Sequence, residues 1–140
     1  MRDTLSTGWT RARADRRISM HRKVFGLAIL LQLVVGGLFL FYPSFSLEFV
    51  GLPVTMGPEW PSIWGATLIF VTVLQIPGML QPVQARFTNV IAVLGRFMMV
   101  ATFLAHGGPF LWFAAFDAVF GALLAFGFYR LVMAELGSRP

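Results

Sequence analysis

Four long apolar runs, at residues 24–42, 63–80, 87–105 and 110–129, decide most of what this chain can be. Each approaches the roughly 20 residues that a helix needs to cross about 30 Å of hydrocarbon. In lipid every backbone polar group must be satisfied within its own segment, which makes such a run a helix. Strands of a membrane barrel would alternate apolar and polar residues over about ten positions, and these runs do not alternate. The polar remainder is too small for a water-soluble globule: 12% of the 140 residues are charged, against about 25% in soluble domains. With 57% hydrophobic residues and a mean hydropathy of +0.75, the expected fold is all-α, an integral membrane four-helix bundle. The absence of cysteine excludes a disulfide framework, a thiolate metal site and dithiol redox chemistry.

The net charge of +5 is concentrated at one end: Arg2, Arg11, Arg13, Arg16, Arg17, Arg22 and Lys23 precede the first apolar run. A basic segment in that place marks the cytoplasmic side of a membrane, and this reading is preferred to nucleic-acid binding. With the arm inside, four crossings bring Arg86, Arg130 and Arg139 inside as well, while the connections 43–62 and 106–109 contain no Lys or Arg. Both termini are therefore expected in the cytoplasm, with the chain in the inner membrane. Tyr42, Trp60, Trp64 and Trp112 fall near the outer interface and Tyr129 near the inner one, where amphipathic rings are favoured. The first run is longer than the core of a signal peptide, about 7–15 residues, and Phe41-Tyr42-Pro43-Ser44 is no small-residue cleavage site. A mitochondrial transit segment is disfavoured by Asp3 and Asp15. The expected organisation is a basic arm (1–23), a transmembrane domain (24–130) and a short cytoplasmic tail (131–140). Membrane lipid is the expected partner, since anionic head groups attract such an arm.

The connections differ in kind. Pro77-Gly78 and Pro82 are expected to bend and end the second helix. His106-Gly107-Gly108-Pro109 forms a tight turn that folds the third and fourth helices into a hairpin. The segment 43–53 reads two ways. As a helix capped by Ser44 it groups Phe45, Phe49 and Leu52; as an extended strand it groups Phe45, Leu47 and Phe49. A short helix on the outer interface is favoured.

At about 100° per residue, small residues gather on one stripe of the fourth helix: Ala114, Asp117, Ala118, Gly121 and Ala125. Small residues let membrane helices approach closely, so this stripe is expected inward and Trp112, Phe116, Phe120 and Leu123 toward lipid. Matching stripes are Ala28, Gln32 and Gly36 on the first helix, and Leu68, Val71, Thr72, Gln75 and Met79 on the second. The third groups Asn89, Ala92, Arg96, Val100 and Phe103.

Each stripe has a polar member at mid-depth. Counting inward from the outer ends at 1.5 Å per residue, Arg96 lies roughly 13–14 Å deep, Asp117 10–11 Å, Gln32 about 15 Å and Gln75 about 18 Å. An isolated charge at such depth costs about 2.5–3.5 kcal/mol on insertion scales. Arg96 and Asp117 are therefore expected to pair, with Gln32 and Gln75 completing the polar centre. The pair either fixes helix register or marks a substrate, quinone or proton site; the structural role is favoured, because the charges cancel and no second acid stands ready as a relay. Glu48 and His106 are candidate ligand contacts in the outer connections, with Glu48 free to fold toward Arg96 and His106 read first as a turn residue. His21 and His106 lie at opposite ends of their helices and cannot share a metal. Met98-Met99 point to different faces and read as packing.

Several of these features together resemble the DoxX-like group of small four-helix prokaryotic membrane proteins. They are Pro43 and Phe45 followed by Gly51-Leu52-Pro53, the aromatic stretch between Trp60 and Trp64, Gly95-Arg96 in the third helix, and Asp117 with Gly121 in the fourth. The resemblance covers about residues 24–130. It implies a compact bundle, in some members a membrane subunit linked to quinone or thiol redox systems. This chain has none of the cysteines that thiol-linked members use. The expected function is that of an accessory, non-enzymatic membrane protein that binds lipid or quinone, as a homo-oligomer or as a subunit of a larger complex. The alternatives are a small proton-coupled transporter and a membrane enzyme acting on an isoprenoid-like substrate through an unpaired Asp117.

Overall fold

The computed structural model describes residues 2–53 and 59–136, with side chains from residue 12 onward apart from Ala14. All regular structure among them is helical: α1 (Arg2–Phe41), α2 (Pro43–Val50), α3 (Glu59–Leu74), α4 (Ile76–Leu80), α5 (Arg86–His106), a 3-10 turn (Gly108–Phe110) and α6 (Leu111–Leu136). Four helical stretches are long and apolar enough to cross a membrane: Asp15–Phe41, Glu59–Leu80, Arg86–His106 and Gly108–Leu136.

The basic arm is not a separate unit. Its backbone continues the first apolar helix without a break, since nothing between Arg2 and Val24 is a proline and Arg and Ala are good helix formers. Residues 131–136 lie within the last helix. Helix α6 runs on to Leu136, Leu131 is buried, and Glu135 accepts two hydrogen bonds from Arg86 Nη2. Arg17 donates to the Arg130 carbonyl and Arg22 to that of Leu80. The N-terminal half of α1 and the last turns of α6 thus lie at the same end of the bundle, together with Arg86 and the exposed Arg13, Arg16 and Lys23. The side chains of Arg2, Asp3 and Arg11, and all of Arg139, lie outside the described residues.

Helix α1 is the hub. It packs along α3 on one side and α6 on the other, and α5 packs along α6. The upper part of the second crossing, α3, makes no sizeable contact with α5; the short α4 does. The cause is a break at Gln75. Pro77 has no N–H for the carbonyl four residues earlier, and its ring crowds that turn. Thr72, fully buried, bonds back to the Leu68 carbonyl, a contact that bends helices. The Gln75 amide then bonds to Thr72 at i−3, and α4 leaves in a new direction. The bend therefore comes before Pro77-Gly78, earlier than the sequence implies. Val71 is 45% exposed, and the seam of the second crossing runs through Pro61, Gly65, Thr72, Gln75 and Gly78.

The segment after α1 is helical, as favoured, but Ser44 is not its cap. Pro43, whose fixed φ suits the first helical position, starts the helix, and Tyr42 takes the preceding place. The Tyr42 carbonyl accepts from both the amide and the hydroxyl of Ser46. Ser46 and Leu47 are buried, while Phe45 and Phe49 stack on each other on the exposed face. Gly51 ends the helix at φ 77°, in the left-handed region. Residues 54–58 of this connection lie outside the described residues.

At this end of the bundle the interior is aromatic. Phe39 and Trp64 meet edge to face at 4.7 Å, and both contact Phe113, which also touches Phe103. Phe103 in turn stacks on Phe110. These rings join all four crossings above a polar middle.

Candidate functional site

The polar middle is built around one guanidinium. Arg96, 3% exposed on α5, donates from Nη1 to Asp117 Oδ1 on α6 at 2.9 Å and from Nη2 to Gln32 Oε1 on α1 at 2.9 Å. Three helices converge there because each presents small residues beside its polar one. Ala28 and Gly36 flank Gln32, Ala92 precedes Arg96 by one turn, and Ala114 and Gly121 flank Asp117; all five are buried. A Cβ on Gly121 would lie 3.4 Å from Arg96 Cβ, ordinary contact distance, so α6 passes directly over the stem of the arginine.

Phe116 and Phe120 belong to this site. Their ring centroids lie 5.9 and 5.8 Å from Arg96 Cζ, and both residues are half-buried. The expectation that they face lipid is thus incorrect. A buried cation is attracted to aromatic faces within about 6 Å, and the sorting of bulky residues to the lipid side took no account of that. Trp112 and Leu123 do face outward.

Gln75 also departs from expectation. It is 8% exposed, yet its Oε1 has no hydrogen-bond partner, and both bonds from Arg96 go elsewhere. Nearer the terminal end of the bundle, His21 and Asn89 are almost wholly buried. Asn89 Nδ2 donates to the Pro82 carbonyl, and the Asn89 side chain lies within interaction range of His21. Glycines make room for these groups. A Cβ on Gly78 would come within 2.8 Å of Asn89 Oδ1, and one on Gly127 within 3.2 Å of His21 Nδ1. The His21 ring meets Phe25 and Phe128. Sequence reasoning passed over His21 because it precedes the apolar run. The available signal is spacing: His21, Phe25, Ala28 and Gln32 continue one helical stripe.

The outer candidates are not drawn into the centre. Glu48 is exposed on α2 and does not fold toward Arg96. His106 is exposed in the last turn of α5, its Nδ1 2.8 Å from the Thr102 carbonyl, a turn residue. Gly107 and Gly108 follow it at φ 64° and 54°, which reverses the chain into α6.

The centre is a buried ion pair: both terminal nitrogens of Arg96 are engaged and two phenylalanine rings lie beside the guanidinium, while Arg96 Nε is buried without a hydrogen-bond partner. Among the described residues no three His, Asp or Glu side chains gather as a metal site would require. No protein family, curated protein or solved structure matches this chain.

Proposed function

We propose that this chain is a small multi-pass protein of the inner membrane, an accessory, non-enzymatic bundle whose polar middle locks three helices together. The observation that supports this reading is the burial of Arg96: its guanidinium, 3% exposed, is bonded to side chains of two other helices and flanked by two rings. The membrane-enzyme alternative required an Asp117 that is not neutralised, and Asp117 is paired.

Orientation in this reading follows from charge. The end that holds both termini carries Arg13, Arg16, Arg17, Arg22, Lys23, Arg86 and Arg130, while the connections at the far end have none, so the termini face the cytoplasm. Likeness to the DoxX-like group is part of the same proposal and rests on sequence features, among them Gly95-Arg96 and Asp117 with Gly121. Lipid, further copies of the chain or a larger membrane complex are the partners that its exposed apolar surface suits.

A second reading, proton-coupled transport, is favoured by one observation: the buried polar side chains of His21, Gln75 and Asn89 between the centre and the terminal end. Proteoliposomes separate the two. The accessory reading expects proton flux in vesicles holding wild type or Asp117→Asn to equal that of empty vesicles. Flux carried by the wild type and abolished in the variant overturns it.

A further inference from the structure

At the end of the bundle that holds the termini, a groove of about 320 Å³ runs between α1 and α4, lined by Ser19, Arg22, Lys23, Met79 and Leu80. Its volume falls at the small end of ligand sites. Its level is informative. The apolar run of α1 begins at Val24 and that of the second crossing ends at Leu80, so the lining residues stand where both helices leave the hydrocarbon. In a bilayer this is the height of the lipid phosphates.

The lining is divided by chemistry. Ser19, Arg22 and Lys23 are exposed on α1, and Arg22 is not free to wander, because its Nη2 donates to the Leu80 carbonyl at the end of α4. That bond uses one of five guanidinium donors and holds the cation at the rim. Met79 and Leu80 supply an apolar floor, with Met79 packed close to Gly26 of α1. A soluble anion would leave that floor bare, whereas a phospholipid uses both halves. Asp15, four residues before Ser19 in α1, sets the far limit of the groove, since an anion placed beyond Ser19 meets like charge.

The geometry points to a dedicated site for one anionic phospholipid of the cytoplasmic leaflet. Arg22 and Lys23 neutralise the phosphate, the Ser19 hydroxyl donates to it, and Met79 and Leu80 take the first methylenes of an acyl chain. This inference rests on the membrane reading above and goes beyond a diffuse attraction of the arm.

The test uses the full chain in mild detergent, titrated with phosphatidylglycerol or phosphatidylcholine and read by native mass spectrometry. One phosphatidylglycerol is expected to stay bound in preference to phosphatidylcholine. Arg22→Gln with Lys23→Gln should weaken its retention roughly tenfold, while Arg13→Gln with Arg16→Gln, which removes equal charge from the same arm, should change it less than about twofold. Lys23→Gln alone leaves the Arg22–Leu80 bond in place and should still weaken retention about threefold, which decides the matter if the double variant does not fold. Equal losses in the two double variants, or no loss with Lys23→Gln, overturn the site, as does displacement of the lipid by glycerol phosphate at equal concentration. Flotation with alkali-washed vesicles keeps the two readings apart. A protein that floats but holds both lipids alike loses only the site; one that does not float loses the membrane reading with it.

Discussion

Gly36 and Gly65 face each other where α1 and α3 meet: a Cβ on Gly65 would lie 2.6 Å from the Gly36 carbonyl oxygen and 2.6 Å from the Leu40 amide nitrogen. The obstacles are backbone atoms, which cannot swing aside as a long side chain can. Two helices come this close in apolar surroundings only where side chains are missing.

Gly65→Ala should therefore force α3 off α1. A loss of about 1–3 kcal/mol is expected from overpacking, read as a lower midpoint in thermal or denaturant unfolding in detergent. Gly37→Ala is the control, because a Cβ there meets nothing within 4 Å; its midpoint should hold or rise slightly. Equal effects at the two glycines would show that α1 and α3 are not in this contact.

Removing one member of the central ion pair should be far worse than removing both. Arg96→Met or Asp117→Leu alone leaves a buried unpaired charge, at a cost of about 3–5 kcal/mol. The double variant, with two apolar side chains of similar volume, should recover most of that loss. Accumulation in membranes and unfolding midpoints of the four proteins form the cycle. Additive losses would mean that the two side chains act independently.

Gln32→Leu isolates the contribution of α1 to the centre. It removes the acceptor for Arg96 Nη2 while keeping similar bulk, and a buried donor left unsatisfied costs about 1–3 kcal/mol. Gln75→Leu should be neutral or stabilising, since the buried Gln75 Oε1 has no partner to lose. Unfolding midpoints that fall equally for both variants would place Gln75 in the centre after all.

The clasp between Arg86 and Glu135 should matter little by comparison. The Arg86 side chain is 43% exposed, and exposed pairs of this kind contribute about 0–1 kcal/mol, less in salt. Glu135→Gln should lower the unfolding midpoint slightly at low ionic strength and not at all in 0.5 M salt, on the order of the screening expected at that concentration. A large loss that persists in salt would assign the tail of α6 a greater share of the fold.

Pattern and depth make much of this arrangement readable in advance, and they fail for definite reasons. Asn89, Ala92, Arg96 and Phe103 lie on the buried side of α5 because a 3.6-residue period leaves one stripe for them all. Arg96 finds Asp117 because two opposite charges at like depth have no better solution. Depth, however, does not fix azimuth. Gln75, at a similar height, receives neither bond from Arg96, and the spacing of apolar residues alone does not reveal that. Bulk alone sends Phe116 and Phe120 toward lipid, whereas the cation beside them makes their faces useful inside. His21 stands before the apolar run and so reads as part of the arm, although the helix that carries it never stops.

The uneven packing around α1 has a consequence for how the molecule comes apart. Arg96 clamps the first, third and fourth crossings, but α3 stands outside that clamp and is held chiefly by α1, through the glycine contact and the bond from the Ser62 hydroxyl to the Leu40 carbonyl, with the Trp64 ring against Phe113 as its contact to α6. Under gradual disruption, that rail should detach while a three-stave remnant, its guanidinium still dry, survives as a discrete intermediate.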